Sequence, residues 1–320
     1  MDMANGGVLP DPASGTPKAP AAPTRLRWVA LVYAIAWIAA LGFFAGLSMA
    51  ATPDGPTLAD RYETMRPRMV ASAFGRPLVV DSGERNGRLH GVIHAELAEP
   101  FAPMAARLAT PRAWCDVIVL HVNVKGCAAD GGFVTVYSGR KFYEPIDRTH
   151  AIRYAFHEAA ARGDYFRIVL AAGAGPLGTR DYEIVLEAMP VGGGTFVAVH
   201  YGFRPSVGSR LATAAYLATA GSEKVGFTIV AAGSNGRPER IGGMRGIVER
   251  NAMRNFLALE AWLQTRDVPE ADRFERRLQR MAALTERYPE QLVELPAAEY
   301  TAIKRREWQE QLARTGVSRL

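Results

Sequence analysis

Catalytic signatures are scarce in this chain of 320 residues. It has no GxSxG or SxxK sequence to supply an activated serine. It also has no HExxH pair, since His157-Glu158 runs on into alanine. The GAGPLG run at 173–178 has glycines like those of a nucleotide loop but no following Lys-Ser/Thr, and it joins two antiparallel-looking strands, so it reads as a hairpin turn. Cysteine is limited to Cys115 and Cys127, which excludes a multi-bridge disulfide framework. A Lys-rich tract is missing too. The formal charge of +6 comes from 38 basic and 32 acidic residues dispersed among each other, which speaks against a nucleic-acid partner. With 48% hydrophobic and 22% charged residues, the composition is that of a packed protein.

The organisation along the chain is uneven. Residues 1–26 are rich in Pro, Ala and Gly and have no hydrophobic period, which predicts a disordered tail. Residues 27–50 hold an apolar run in which no side chain from Trp28 to Ala50 is charged, long enough to span a bilayer. Lys18, Arg25 and Arg27 precede the run and Asp54 and Asp60 follow it. The positive-inside rule therefore predicts a single-pass inner-membrane anchor with the main domain on the periplasmic or other extracytoplasmic side. Ser48-Met49-Ala50 also fits a signal-peptide cleavage site, and either reading exports the domain.

Residues 51–87, with Pro53, Pro56, Pro67 and Pro77, read as a connector that contains a short helix at 58–69 and a short strand at 77–83. From Arg88 a strand at 89–97 alternates, with Leu89, Gly91, Ile93, Ala95 and Leu97 on one side and His90, His94 and Glu96 on the other. Two short helices follow, started by Pro100 and Pro111. A strand is expected at 121–125 and a turn of small residues at 126–132. Strands are then expected at 133–138, 151–160, 165–172, 181–189 and 195–204, linked by glycine-rich turns into an antiparallel meander. A helix at 207–219 and a last strand at 225–232 lead to 241–266. There Met244, Val248, Ala252, Phe256, Leu259 and Leu263 recur at helical spacing, with Arg245, Glu249, Arg250, Arg254, Glu260 and Gln264 on the other side. Residues 267–320 predict two further amphipathic helices that fold back on the domain or serve a protein partner through 270–315.

This order of elements resembles the START-like superfamily with its helix-grip fold. The stretch PFAPMAARLATPRAWCDVIVLHVNVKGC (100–127) is similar to its helical opening and first sheet return. RIGGMRGIVERNAMRNFLALEAWL (240–263) looks like its gripping helix. The resemblance covers 88–266 and implies an α+β fold in which a curved antiparallel sheet closes over a long amphipathic helix around an apolar cavity. It further implies non-covalent binding or transfer of a hydrophobic small molecule, a lipid or polycyclic isoprenoid, with no cofactor. A cyclase-like enzyme that uses the same cavity is the alternative, and a scaffold with a closed core is the third reading.

The strand aromatics supply the candidate ligand-binding residues: Tyr137, Tyr154, Phe156, Phe166 and Tyr201, with Met244 from the long helix. Ordinary core packing is the competing account of each. Arg153 or Arg167 could supply a charged end for an amphiphile. Asp147, His157, Asp181 and Glu183 are the groups able to do acid–base work if they face the cavity. His90, His94 and His200 could approach one another, but two cysteines and scattered histidines make no recognisable metal set. Outside the cytoplasm Cys115 and Cys127 can form a disulfide, whose short loop is worth about 3 kcal/mol on the chain-entropy argument. Two separate buried thiols are the alternative.

Overall fold

The computed structural model describes residues 57–158, 163–219, 221–233 and 236–315. The expected tail and membrane span lie outside these residues. Residues 56–320 form a compact unit by themselves. Among the described residues no helix is long and apolar enough to cross a membrane.

The main sheet has eight strands: β1 (Leu78–Arg85), β2 (Arg88–Leu97), β3 (Val124–Asp130), β4 (Phe133–Ser138), β5 (His150–Glu158), β6 (Phe166–Ala174), β7 (Arg180–Val191) and β8 (Gly194–Arg204). Their spatial order is β1-β2-β8-β7-β6-β5-β4-β3, and every neighbouring pair is antiparallel. The meander from β3 to β8 thus returns the chain to β2. Three hairpins turn on residue pairs with both φ values positive, Asn86-Gly87, Gly131-Gly132 and Gly192-Gly193, as the right-handed twist of the flanking strands requires.

Helices α2 (Phe101–Leu108) and α3 (Pro111–Ile118) carry the chain from β2 to β3. Thr110 accepts a hydrogen bond from the Ala113 amide and so caps α3. The long helix α5 (Gly243–Leu263) lies against the inner face of the sheet. It approaches β2 so closely that a Cβ at Gly91 would stand 3.0 Å from the Val248 carbonyl oxygen. Its Val248, Ala252, Phe256, Leu259 and Leu263 share one core with Leu89, Ile93, Ile168, Leu170, Leu186 and Val199. This is the expected α+β, helix-grip arrangement.

Its borders are wider than the sequence suggested. The residues expected to be a connector contribute α1 (Leu58–Val70) and β1, which pairs with β2 from Leu78↔Ala95 to Arg85↔Arg88. α1 begins on a Thr57–Asp60 capping box and covers the outer face of the sheet, where Leu58 and Met69 pack with Val79, Phe196 and Ala198. At the other end, α6 (Glu270–Thr285), α7 (Pro289–Leu292) and α8 (Ala297–Thr315) place Phe274, Leu278, Met281, Leu292 and Tyr300 in the main core.

That packing changes the meaning of the polar side of α5. Glu249, Arg250, Arg254 and Glu260 are buried, not solvated. Glu249 accepts hydrogen bonds from the Phe227 and Thr228 amides at 2.6 and 2.9 Å and from the Ser82 hydroxyl at 2.6 Å. Arg254 pairs with Glu294 at 2.7 Å and Arg76 with Glu260 at 2.9 Å. Charges that look amphipathic in sequence instead fasten α5 to the segments on either side of it.

Two strand expectations also change. Residues 121–123 form a turn, and β3 occupies 124–130, including the small residues expected to be a turn. Small side chains there make room for α8: a Cβ at Gly126 would meet the Gln311 side chain at 3.0 Å. The expected strand at 225–232 is shortened to β9 (Ile229–Ala232), which pairs only with β10 (Pro238–Arg240) in a separate ribbon. Between β8 and that ribbon lies α4 (Val207–Leu217), begun by a Ser206–Ser209 capping box. Cys115 of α3 and Cys127 of β3 are joined in a disulfide with Cα atoms 5.3 Å apart.

Candidate functional site

Between the inner face of the sheet and α5 lies a cavity of about 280 Å³. Strand alternation decides what it meets. Val136 and Ser138 come from β4, Ile152 and Tyr154 from β5, Tyr182 and Ile184 from β7, and Tyr201 from β8. The turn after α3 brings His121 and Asn123. α5 brings Asn251 and Asn255, which share a helix face because they are four residues apart. Pro176, in the β6–β7 turn, marks the rim.

The lining is mixed, not apolar. Ile118, Val124, Val136, Ile152 and Ile184 make one part, while His121, Asn123, Ser138, Asn251 and Asn255 make another. It includes no Asp, Glu, Lys or Arg. His121 is the most tightly defined polar group. Its Nδ1 accepts a hydrogen bond from the Asn123 amide at 3.1 Å, and Asn251 bonds to its side chain. With Nδ1 accepting, the ring proton belongs on Nε2. Burial pushes the imidazole well below its ordinary pKa, and Arg254 and Lys304 push in the same direction, so the ring is neutral. Asn123 is fixed in turn by donating from Nδ2 to the Gly139 carbonyl at 2.9 Å.

The three phenols form a second group. Tyr182 and Tyr154 meet edge to face, with centroids 6.4 Å apart, and Tyr182 shares a hydrogen bond of 2.8 Å with Thr179. Burial raises the pKa of all three tyrosines, and the proximity of Tyr182 adds to the rise at Tyr154 and Tyr201. They remain protonated hydrogen-bonding groups at neutral pH. The arrangement can hold a neutral molecule by dipoles around it; it has no lining charge to pair with an ion.

Of the six residues suggested by sequence, Tyr154 and Tyr201 line this cavity. Phe156 and Met244 are half-buried against the core, and Phe166 is wholly buried within it. Tyr137 alternates with Val136 and Ser138, so it faces the other side of the sheet, beside Gly126. Neither arginine reaches the cavity. Arg153 is exposed and lies over the Phe133 ring at 3.5 Å, and Arg167 is on the outward parity of β6. Asp147, Asp181 and Glu183 bind Arg314, Arg204 and Arg88 instead. His157 is exposed.

His90 and His200 do approach, with stacked rings 6.0 Å apart, but on the outer face. Burial lowers the pKa of His94 and of His200 to about 4 in each case. Among the described residues no group of three His, Cys, Asp or Glu side chains could hold a metal ion. The polar cluster on α5 and the turn was missed in sequence. Asn251 and Asn255 were its available signal: asparagine is poorly suited to a helix interior, and two at this spacing mark one face.

No protein-family profile matches the chain, and a comparison with curated proteins finds no match. Several solved structures are similar to part of it. A protein from Arthrobacter aurescens is 13% identical, with a TM-score of 0.30 over 57% of this chain and 91% of that one. CalU16 from Micromonospora echinospora is 8% identical, with a TM-score of 0.24 over 43% and 77%. Norcoclaurine synthase from Thalictrum flavum is 14% identical, with a TM-score of 0.27 over 38% and 79%. At these values no residue role is carried across.

Proposed function

We propose that this domain binds a small, neutral, largely apolar ligand bearing hydroxyl, carbonyl or amide groups, held non-covalently between the sheet and α5. The observation that carries the reading is the lining itself: an apolar wall opposite neutral hydrogen-bonding groups, with no charge. A volume of about 280 Å³ is just below the usual range of small-molecule sites, about 300–1,000 Å³. It suits a compound of one or a few rings better than a two-chain lipid, which narrows the hydrophobic ligand expected from sequence. The order of elements supports a START-like assignment.

The run at 28–50 supports placing the domain on the extracytoplasmic side of a membrane, tethered at its N-terminal end. The Cys115–Cys127 disulfide agrees with an oxidising compartment. A cyclase-like reading has less to draw on, because the His121 ring is already bonded to Asn123 and Asn251 and the phenols stay protonated.

The test is native mass spectrometry of the full chain purified from cells that make it. A stoichiometric neutral compound that is lost in the Tyr201→Ala/Asn251→Leu variant supports the proposal. A retained phospholipid, or an empty protein that no neutral ring compound stabilises against heat, overturns it.

A further inference from the structure

Helix α4 spends almost none of its surface on the fold. Of its eleven residues only Ser209 is buried, although Val207, Leu211, Ala212, Ala214, Ala215 and Leu217 make it largely apolar. Val207 and Leu211 are four apart, on one face, and 78% and 67% exposed. Next to the helix start, Leu177 is 61% exposed on the β6–β7 turn, and its carbonyl accepts a hydrogen bond of 2.5 Å from the Ser206 hydroxyl. Near the helix end, the loop after β4 is held by Lys141, which donates to the Tyr216 hydroxyl at 2.7 Å. The same loop carries Phe142, 52% exposed. These four belong to the seven large apolar side chains that stand exposed among the described residues.

The placement is not scattered. The β6–β7 turn that carries Leu177 also carries Pro176 at the cavity rim, and the loop that carries Phe142 follows Ser138 of the lining. The exposed apolar tips therefore come from three separate elements, two of which adjoin residues of the cavity lining. Arginines stand among them. Arg140 lies 5.7 Å from the Phe142 ring centre, Arg204 and Arg180 share Asp181, and Arg210 reaches Glu84. These four guanidinium groups stand among the three carboxylates of Glu84, Glu144 and Asp181, which leaves a small positive excess at the rim.

We propose that this rim docks on an anionic lipid surface, with α4 lying in the interface and Leu177 and Phe142 inserted beside it. Three observations select lipid over a folded partner. The exposed apolar side chains come from three elements, Val207 and Leu211 from one face of α4, Leu177 from the β6–β7 turn and Phe142 from the loop after β4, a spread that suits a broad surface better than a single partner segment. A largely apolar helix whose one charged side chain is Arg210, with further arginines nearby, is the chemistry of an interfacial helix: the tips enter the acyl boundary while guanidinium groups remain at the headgroups. The same chain also carries a run at 28–50 of membrane-spanning length. A neutral, largely apolar ligand would then reach the cavity without crossing water. Docking goes beyond the ligand-binding reading and is measured without any ligand.

The test uses residues 56–320, which form a compact unit containing both apolar clusters. Flotation is compared on vesicles of phosphatidylcholine alone and with about one third phosphatidylglycerol. The fragment is expected to float with the anionic vesicles, and the Phe142→Ser/Leu177→Ser/Leu211→Ser variant to lose about tenfold or more in partitioning. Hydrogen exchange of the unaltered fragment supplies a check that needs no variant: amides 207–217 are expected to slow when vesicles are added. Failure to float, equal flotation of the variant, or unchanged exchange in α4 overturns the proposal. So does a dimer, seen by light scattering, that disappears in the variant while flotation is absent. That outcome assigns the rim to a second copy of the chain.

Discussion

The two sides of the chain at 121–125 handle buried polarity in opposite ways. Toward α5, His121, Asn123 and Val124 meet Asn251 and Asn255 around the cavity, and every group is neutral. Toward α8, Lys125 meets Glu307 at 2.8 Å, and Lys304 meets the other oxygen of that carboxylate at 2.7 Å. All three of these charged residues are at most 1% exposed. Lys125 also donates to the Val122 carbonyl at 3.0 Å, and Lys304 to that of Val124. An ion survives burial when its partners are fixed and close; beside an open cavity it would need water or a counter-charge from the ligand. Charge therefore fastens α8 to the sheet, and dipoles face the space where a ligand can sit.

The largest effect comes from breaking the charged side. Glu307→Leu leaves two buried ammonium groups without their carboxylate, and the expected loss is about 3–5 kcal/mol in urea unfolding. Replacing all three together, Lys125→Met, Lys304→Met and Glu307→Leu, should recover most of it, because an apolar set of similar volume needs no compensation. A cost below about 1 kcal/mol for Glu307→Leu alone would remove the fastening role.

Acid tests the neutral side. In the unfolded chain histidine takes a proton near pH 6.5. In the fold His94 and His200 hold out to about 4, and His121 lies well below its ordinary value. The unfolded state thus binds more protons over this interval. The stabilisation is complete above pH 6.5 and is lost as the pH falls towards 4. Each histidine contributes up to about 1.4 kcal/mol per pH unit within that interval. His121→Gln is expected to reduce the slope of stability between pH 6.5 and 4 by one proton. A slope identical to that of the unaltered protein would mean that His121 is not held neutral.

Much of this architecture could be read from residues. The alternation of Leu89, Ile93, Ala95 and Leu97 against His90, His94 and Glu96 is that of β2, and the apolar period from Met244 to Leu263 is that of α5. Sequence could not show where the polar side of α5 went. Arg254 and Glu260 look like solvated charges until α6 to α8 and the segment before β1 close over them, and such long-range burial leaves no local period. The site was half legible for the same reason. Tyr154 and Tyr201 follow from strand parity and aromatic content, whereas His121 sits in a turn that a one-element shift at β3 had assigned to a strand. Tyr137 was misplaced because parity gives two faces and does not say which one is inside.

A finer prediction turns the neutral side into the charged one. Asn251→Asp puts a carboxylate on the side chain that bonds to His121, with nearly the same volume. An anion in hydrogen-bond contact favours the imidazolium, so the His121 pKa should rise by about 1–3 units, seen as a shifted ring titration by NMR. Stability at pH 7 should fall by about 1–3 kcal/mol, because the imidazole is still largely neutral there and the carboxylate is buried without a full counter-charge. The acid-side slope should shrink as it does in His121→Gln, since the folded state now takes up the proton that the unfolded chain binds. Asn255→Asp is the control, one helical turn along the same lining with no bond to His121, and it should move that titration less. Equal shifts from both variants would mean that His121 responds to the general field of the cavity and not to its hydrogen bond with residue 251, and the division between fixed dipoles and fixed charges at 121–125 would lose its structural basis.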